Sequence, residues 1–407
     1  MKNTVMTAPF DNRLLRRVLA LALFVFIFYS ISKRMDSSLS GPPAALPQSS
    51  DPIIAMENLV IEETPDTIAS GYKSVIDYVV YYREDDLRFR LSKAFPYNRT
   101  CEIPALIWQT WKEPLGQVKN TELRNYMNTW SQSEGYDYHL IQDDELEMLV
   151  LETYADFPEI LDALAALPLN ILKYDFFRYL ILYAYGGLYT DIDTHLIKDL
   201  HEWVDDTKIL SNYFQLHEDE RVGFLLGIEG DLDREDWKLK ISRRVQFCQW
   251  TMKSKKGHPI LRELIYKITK ITLDNYNQRL NHVKIGTQYY TLHSVYTVLE
   301  WTGPGIFTDM VFTHLNTIHD NATIHNTNEA PHLKSTQFGE SNRDKNTVTE
   351  TKPVGWMNFT RITRPVLFDD VLVLPINSLN GFADGIEFPV DDELVYVKHE
   401  FHGSWKQ

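Results

Sequence analysis

The polarity pattern opens with a block that carries no charge. From Val18 to Ile31 the chain reads VLALALFVFIFYSI, fourteen residues bracketed by Arg13, Arg16 and Arg17 on one side and Lys33 and Arg34 on the other. As a helix this run rises about 21 Å. Adding Leu14 and Leu15, with the arginines reaching outward, brings it towards the roughly 30 Å hydrocarbon core of a bilayer. A cleaved signal peptide shares the basic start and apolar centre, but no small-x-small cleavage site follows. The pattern therefore predicts a cytoplasmic tail at 1–17 and a signal-anchor transmembrane helix at 18–32. A span this short suits a thin, early secretory membrane.

Beyond the anchor, residues 33–70 are rich in Ser, Pro and Gly and have little to bury, which predicts a flexible stem. Residues 71–100 are charged and tyrosine-rich and read as a helical segment joining stem to body. From residue 101 to 407 strand-like and helix-like stretches alternate, the signature of an α/β domain. IPALIWQTW (103–111) has the β-branched and aromatic content of a buried strand, and YHLIQDDELEMLV (138–150) reads as strand, acidic turn and helix. PLNILKYDFFRYLILYAY begins at Pro168 and predicts a long apolar helix stopping at Gly186–Gly187, with LYTDID as a short strand behind it. Residues 207–230 contain a strand-like region ending in GFLLGIEGD, while 258–269 and the stretch from 302 read as helices. Residues 319–356 form a polar insertion, and DDVLVLPINSLN returns to strand. No internal repeat and no second long hydrophobic span appear.

Composition narrows the function. With 56 acidic against 41 basic residues the net charge is -15, which disfavours nucleic acid as a partner. Small anionic ligands remain open through local charges or a metal. Three Asn-x-Ser/Thr sequons follow the anchor, at Asn98, Asn321 and Asn358, and suit a lumenal body. The two cysteines, Cys101 and Cys248, either form one disulfide in an oxidising lumen or leave Cys248 as a buried thiol in VQFCQW.

The candidate chemistry lies in AYGGLYTDIDTHL (184–196). Asp191 and Asp193 are two residues apart, so on a regular strand both carboxylates share a face and can reach one hard cation. Asp-x-Asp alone is weak, since solvated acidic turns carry it too. The preceding helix adds Asp175 and Arg178, three apart in an apolar segment. They form either a structural ion pair or a grip on a sugar or phosphate. Gly186 and Gly187 let the chain turn tightly enough to bring all four together.

LKYDFFRYLILYAYGGLYTDID resembles the signature of the fungal initiation-specific α-1,6-mannosyltransferase family, glycosyltransferase family 32. The likeness extends to IPALIWQTWK (103–112) and VKHEFHGSWK (397–406), so it brackets about three quarters of the chain. The resemblance implies a Golgi type II membrane protein with a GT-A-like nucleotide-sugar-binding domain built on a mixed sheet. It implies a GDP-mannose donor, a divalent cation (usually manganese) and a mannose-containing N-glycan acceptor. Carried over by position, Asp191 and Asp193 bind the metal, with His399 completing the shell and His402 as the rival ligand. Asp175 and Arg178 hold the donor sugar. Trp108 and Tyr189 line the donor pocket, and Ser404 and Trp405 close over the leaving phosphate.

An α-linked donor and an α product mean net retention, and no carboxylate in the sequence stands out as a nucleophile. Front-face attack, with the departing phosphate helping to deprotonate the acceptor, is the expectation. Four rivals remain. A subunit of an α-1,6-mannan-extending complex, working with other mannosyltransferase subunits, shares the same signature. Mannosyl inositol phosphorylceramide synthases share the Asp-x-Asp core but are expected to carry further hydrophobic spans. A non-catalytic partner would be expected to have lost Asp191, Asp193 or the terminal histidine. A metal-dependent phosphohydrolase would want a second His/Asp cluster, which His195 alone does not supply.

Overall fold

Strand β1 (Leu106–Thr110) lies at the centre of a parallel trio, between β2 (Asp137–Ile141) and β3 (Gly187–Thr190). The computed structural model describes residues 83–214, 221–277, 298–318, 324–325, 353–383, 386–389 and 391–402. The anchor, the stem, Asn321, Ser404, Trp405 and most of the 319–356 insertion lie outside the described residues.

Helix α1 (Leu87–Ala94) precedes β1, and α2 (Thr121–Ser131) joins β1 to β2. Helices α3 (Asp143–Thr153), α4 (Pro158–Ala166) and α5 (Asn170–Tyr185) lead into β3. Then come β4 (Thr194–Leu196), α6 (Thr207–Tyr213), β5 (Phe224–Asp231), β6 (Val245–Phe247), β7 (Thr251–Ser254), α7 (Pro259–Asn277) and α8 (Pro304–Ile318). The remaining elements are β8 (Ile324–His325), β9 (Val366–Phe368), β10 (Val371–Leu374), α9 (Asn377–Asn380), β11 (Phe382–Ala383), β12 (Ile386–Glu387) and β13 (Val397–His399).

The main sheet runs β2-β1-β3-β7-β5-β10-β9-β8, with β6 attached to β5. It is mixed: β2-β1-β3 and β5-β10 pair in parallel, while β7 is antiparallel to both β3 and β5. The domain is α/β, as the alternation predicts, and its central sheet is mixed, as the resemblance implies.

Helix α5 is the element the apolar pattern marks most clearly, and it is buried on every side from Asp175 to Ala184. An all-round apolar helix has to sit inside the protein, and α5 packs against α3 and α7. It begins at Asn170, two residues after Pro168, and its end is set by geometry. Gly186 and Gly187 have φ of 73° and 97°, in the left-handed region. A Cβ on Gly186 would come within 2.8 Å of the Lys256 nitrogen, and one on Gly187 within 2.7 Å of the Leu106 carbonyl. Only glycine lets β3 leave the helix and pair at once with β1 and β7.

The structure adds detail at three places the sequence left open. Residues 207–213 are helical (α6), because Asp206 caps the Lys208 and Ile209 amides, and the strand begins only at Phe224. The two cysteines are not bonded to each other: Cys101 is exposed and Cys248 is a buried thiol in the core, the second of the two readings. Burial pushes the Cys248 thiol well above its ordinary value. Asn358 is buried, and its side-chain oxygen accepts the Gly355 amide at 2.8 Å. Asn98 is exposed in a short Asx turn, accepting from the Thr100 amide at 2.9 Å.

Candidate active site

The two aspartates stand in the turn that follows β3, which ends at Thr190, rather than on a regular strand. That turn is held from several sides. The Asp191 amide donates to the Trp250 carbonyl at 2.9 Å, and Gln109 Nε2 donates to the Asp191 carbonyl at 3.1 Å. Below them the hydroxyls of Thr190, Thr194 and Thr251 form a buried chain, 2.8 and 2.7 Å apart. Position, rather than strand alternation, is what points both carboxylates one way.

His399 arrives from a distant part of the chain. Strand β13 pairs antiparallel with β4, placing His399 opposite Thr194, and the Glu400 amide donates to the Asp193 carbonyl at 2.8 Å. Its Nε2 stands 3.5 Å from Asp193 Oδ1. Asp191, Asp193 and His399 offer ligand atoms that all lie within 4.8 Å of one another. Two carboxylates and one imidazole suit a divalent cation such as Mn2+. Burial pushes both aspartates up and pushes His399 down to about 4, so the imidazole is neutral near pH 7. In this arrangement the Phe401 amide donates to His399 Nδ1 at 3.1 Å, so ligation through Nε2 requires that amide to turn away. Phe401 has φ of 50°, in the left-handed region that a bulky residue rarely adopts.

A second group, His258, His314 and Asp370, is also clustered and buried. It fits an ion less well. The Ile260 amide donates to His258 Nδ1 at 3.2 Å. Ile260 is in the first turn of α7 and cannot rotate its amide outward, so the proton stays on Nε2 and no lone pair faces the cluster.

Behind the aspartates lies a dry ion-pair network. Arg178 Nη2 is 2.7 Å from Asp175 Oδ1 and 3.5 Å from Asp191 Oδ1, with side-chain exposures of 4%, 3% and 28% respectively. Asp175 also accepts from Thr302 Oγ1 at 3.1 Å and Gln249 Nε2 at 3.3 Å. The Arg178 guanidinium lies 5.0 Å from the centre of the Tyr189 ring, and Tyr189 donates its hydroxyl to Asp191 Oδ1 at 3.0 Å. These groups open into a cavity of about 430 Å³ whose lining includes Lys112, Asp143, Tyr174, Glu229 and Trp250.

Residues 120–210 match the family described as a glycosyltransferase sugar-binding region containing a DXD motif. Over a longer span the chain is 38% identical to an initiation-specific alpha-1,6-mannosyltransferase of Candida albicans, covering 79% of this chain and 77% of the relative. The enzyme of the same name from Saccharomyces cerevisiae is 34% identical, covering 79% and 82%. That from Schizosaccharomyces pombe is 34% identical, covering 76% and 65%. The chain belongs to the initiation-specific α-1,6-mannosyltransferase family. Within the stretch matched to the sugar-binding region fall Asp175, Arg178, Tyr189, Asp191 and Asp193, whereas His399 joins them only through the β4–β13 pairing.

In this family member the structure departs from the sequence expectation at Trp108. Its indole is buried, donates to the Gly186 carbonyl at 2.9 Å and stacks on His139 at 4.5 Å. It supports the α5–β3 turn, and the cavity is lined instead by Thr110, Trp111 and Lys112 at the strand's end. His402 is exposed and gives Asp193 Oδ2 only its backbone amide, at 3.1 Å. His195 lies on β4 opposite Lys398, its ring 5.6 Å from Tyr126. Among the lining residues that the sequence reading does not name are Gln249 and Glu229. The signal for Glu229 is present, a lone carboxylate in the otherwise uncharged run GFLLGIEG. It accepts from Gln246 Nε2 at 3.0 Å, and burial pushes it up to about 7.

Burial also pushes Asp175 up to about 6, against the opposing pull of Arg178. The Asp175–Arg178 pair is therefore intact above about pH 6 and is lost as the pH falls through that value. We expect kcat/KM to show an acid limb near pH 6. Thr302→Val, which removes a hydrogen bond favouring the carboxylate, should move that limb up by roughly half a unit to one unit.

Proposed function

We propose that this protein is a Golgi α-1,6-mannosyltransferase that moves mannose from GDP-mannose to a mannose residue of an N-glycan, with metal dependence and retention. The observation that carries the reading is Asp191, Asp193 and His399 gathered at the mouth of a cavity whose wall holds the buried Asp175–Arg178 pair. The curated relatives bear the name of this activity over about four fifths of the chain. Under this reading the domain at 101–407 is GT-A-like and lumenal, carried on the stem and on a type II anchor at 18–32.

Asp191, Asp193 and His399 would hold the cation, which when bound neutralises the diphosphate and stabilises the departing GDP. Arg178 adds a permanent charge at the same end of the cavity, in a dry setting where it acts strongly. Asp175 has three of its roughly four acceptor positions filled by Arg178, Thr302 and Gln249, leaving one for a sugar hydroxyl. Tyr189 fixes the orientation of the Asp191 carboxylate. Glu229, at about 7, can hold or release a proton near neutral pH, and it has no ion-pair partner among the described residues.

A panel of GDP- and UDP-sugars with Mn2+ and an α-mannose oligosaccharide tests the donor. Turnover confined to GDP-mannose supports the reading, and turnover of a UDP-sugar in its place overturns it. The histidine assignment has its own expected outcome. His399→Ala should weaken Mn2+ binding by about 10- to 100-fold, whereas His402→Ala should change it less than about threefold. Titration calorimetry of both variants checks this.

A further inference from the structure

The cavity continues beyond the residues assigned above, and α5 serves as a ruler along it. Ile171, Tyr174, Asp175 and Arg178 all line the cavity, on one face of the helix. Seven residues separate Ile171 from Arg178, a rise of about 10 Å. Arg178 reaches Asp191 at 3.5 Å, so the Ile171 end lies about 10 Å along the helix from the residue that meets the metal-ligand cluster, on the order of the span of a ribose and one phosphate. At that end the parallel strands β1 and β2 finish side by side, with the Trp111 amide donating to the Ile141 carbonyl at 3.0 Å. A crevice beyond the C-terminal ends of parallel strands is where α/β folds seat nucleotides. Its lining there is Trp111, Lys112, Ile171, Tyr174 and one carboxylate, Asp143. Asp143 is exposed to the cavity, and the Tyr174 hydroxyl faces its carboxylate. Its neighbour Asp144 is exposed too but lines no part of the cavity.

We propose that Asp143 selects the nucleobase of the donor by accepting two hydrogen bonds from a guanine edge. Guanine presents a ring N–H and an exocyclic amine side by side, a donor pair that matches the two oxygens of a carboxylate. Hypoxanthine lacks the amine and makes only one of these bonds. Uracil presents a single N–H between two carbonyls, which a carboxylate repels. Tyr174 steadies the Asp143 side chain, and Ile171 and Trp111 supply apolar surface for the ring faces. The assignment rests on the GDP-mannose reading of the site.

The test compares binding of GDP, IDP and UDP to the full-length protein with Mn2+, for wild type, Asp143→Asn and Asp144→Asn. Wild type should prefer GDP over IDP by about tenfold or more, as expected for a charge-assisted hydrogen bond. Asp143→Asn should shrink that ratio to within about threefold, with Asp144→Asn unchanged. If wild type prefers guanine but Asp143→Asn keeps the full GDP-to-IDP ratio, the donor reading stands and the role of Asp143 is overturned. If wild type does not prefer GDP over UDP, the donor reading itself falls, and the base-reading role with it.

Discussion

Asp191→Asn and Asp193→Asn are each expected to lower mannose transfer by about a thousandfold or more while leaving the fold intact. The size follows from the job assigned to them. A carboxylate that holds the cation is needed wherever charge develops on the departing diphosphate, and removing such preorganised stabilisation costs several powers of ten. The fold should survive because the turn is held by main-chain contacts: the Asp191 amide to Trp250 and the Asp191 carbonyl to Gln109. Asparagine keeps those contacts and the side-chain volume. Transfer rate, Mn2+ affinity and the thermal transition should be measured together. Loss of activity and metal affinity with an unchanged transition is the expected combination. A variant that keeps more than about a tenth of the wild-type rate would remove that aspartate from the metal site.

Arg178→Ala carries the second large effect, on stability as well as activity. The guanidinium is the cation shared by Asp175 and Asp191, and it also donates to the Gln249 carbonyl at 3.2 Å. Removing it leaves the Asp175 carboxylate buried without its charge partner, which costs roughly 3–5 kcal/mol. Chemical denaturation should show that loss, and transfer should fall below detection. The double variant Asp175→Asn with Arg178→Met separates the two consequences. It removes both charges of the pair, so it should recover much of the stability and none of the transfer. Recovered transfer would make the pair a purely structural feature.

The parts of the fold that could be read from sequence are those specified locally. Helix α5 is an apolar-rich stretch ended by two glycines, and both its existence and its stop at Gly186 follow from that pattern. The β1 strand and the β2–α3 unit were legible for the same reason. What stayed hidden depends on long-range pairing. No local signal says that β13 lies beside β4, so the position of His399 could come only from the family likeness. The site end of β1 was misjudged because Trp108 and Thr110 share a strand face, yet only the outer one reaches the cavity. The inner one is covered by the α5–β3 turn. At residues 207–213 a capping aspartate sets a short helix ahead of the strand that the polarity pattern places at GFLLGIEGD. Gln249, a neutral residue before β7, carries no sign in the sequence that it will meet Asp175.

The most direct test of the central claim is the linkage of the product. The full-length protein would be incubated with GDP-mannose, Mn2+ and an α-mannose oligosaccharide, beside Asp191→Asn, and the new glycosidic bond identified. The account predicts one added mannose in α-1,6 linkage, formed by wild type and absent from the variant. A β-linked or otherwise placed mannose, or a product that Asp191→Asn forms equally well, would contradict it.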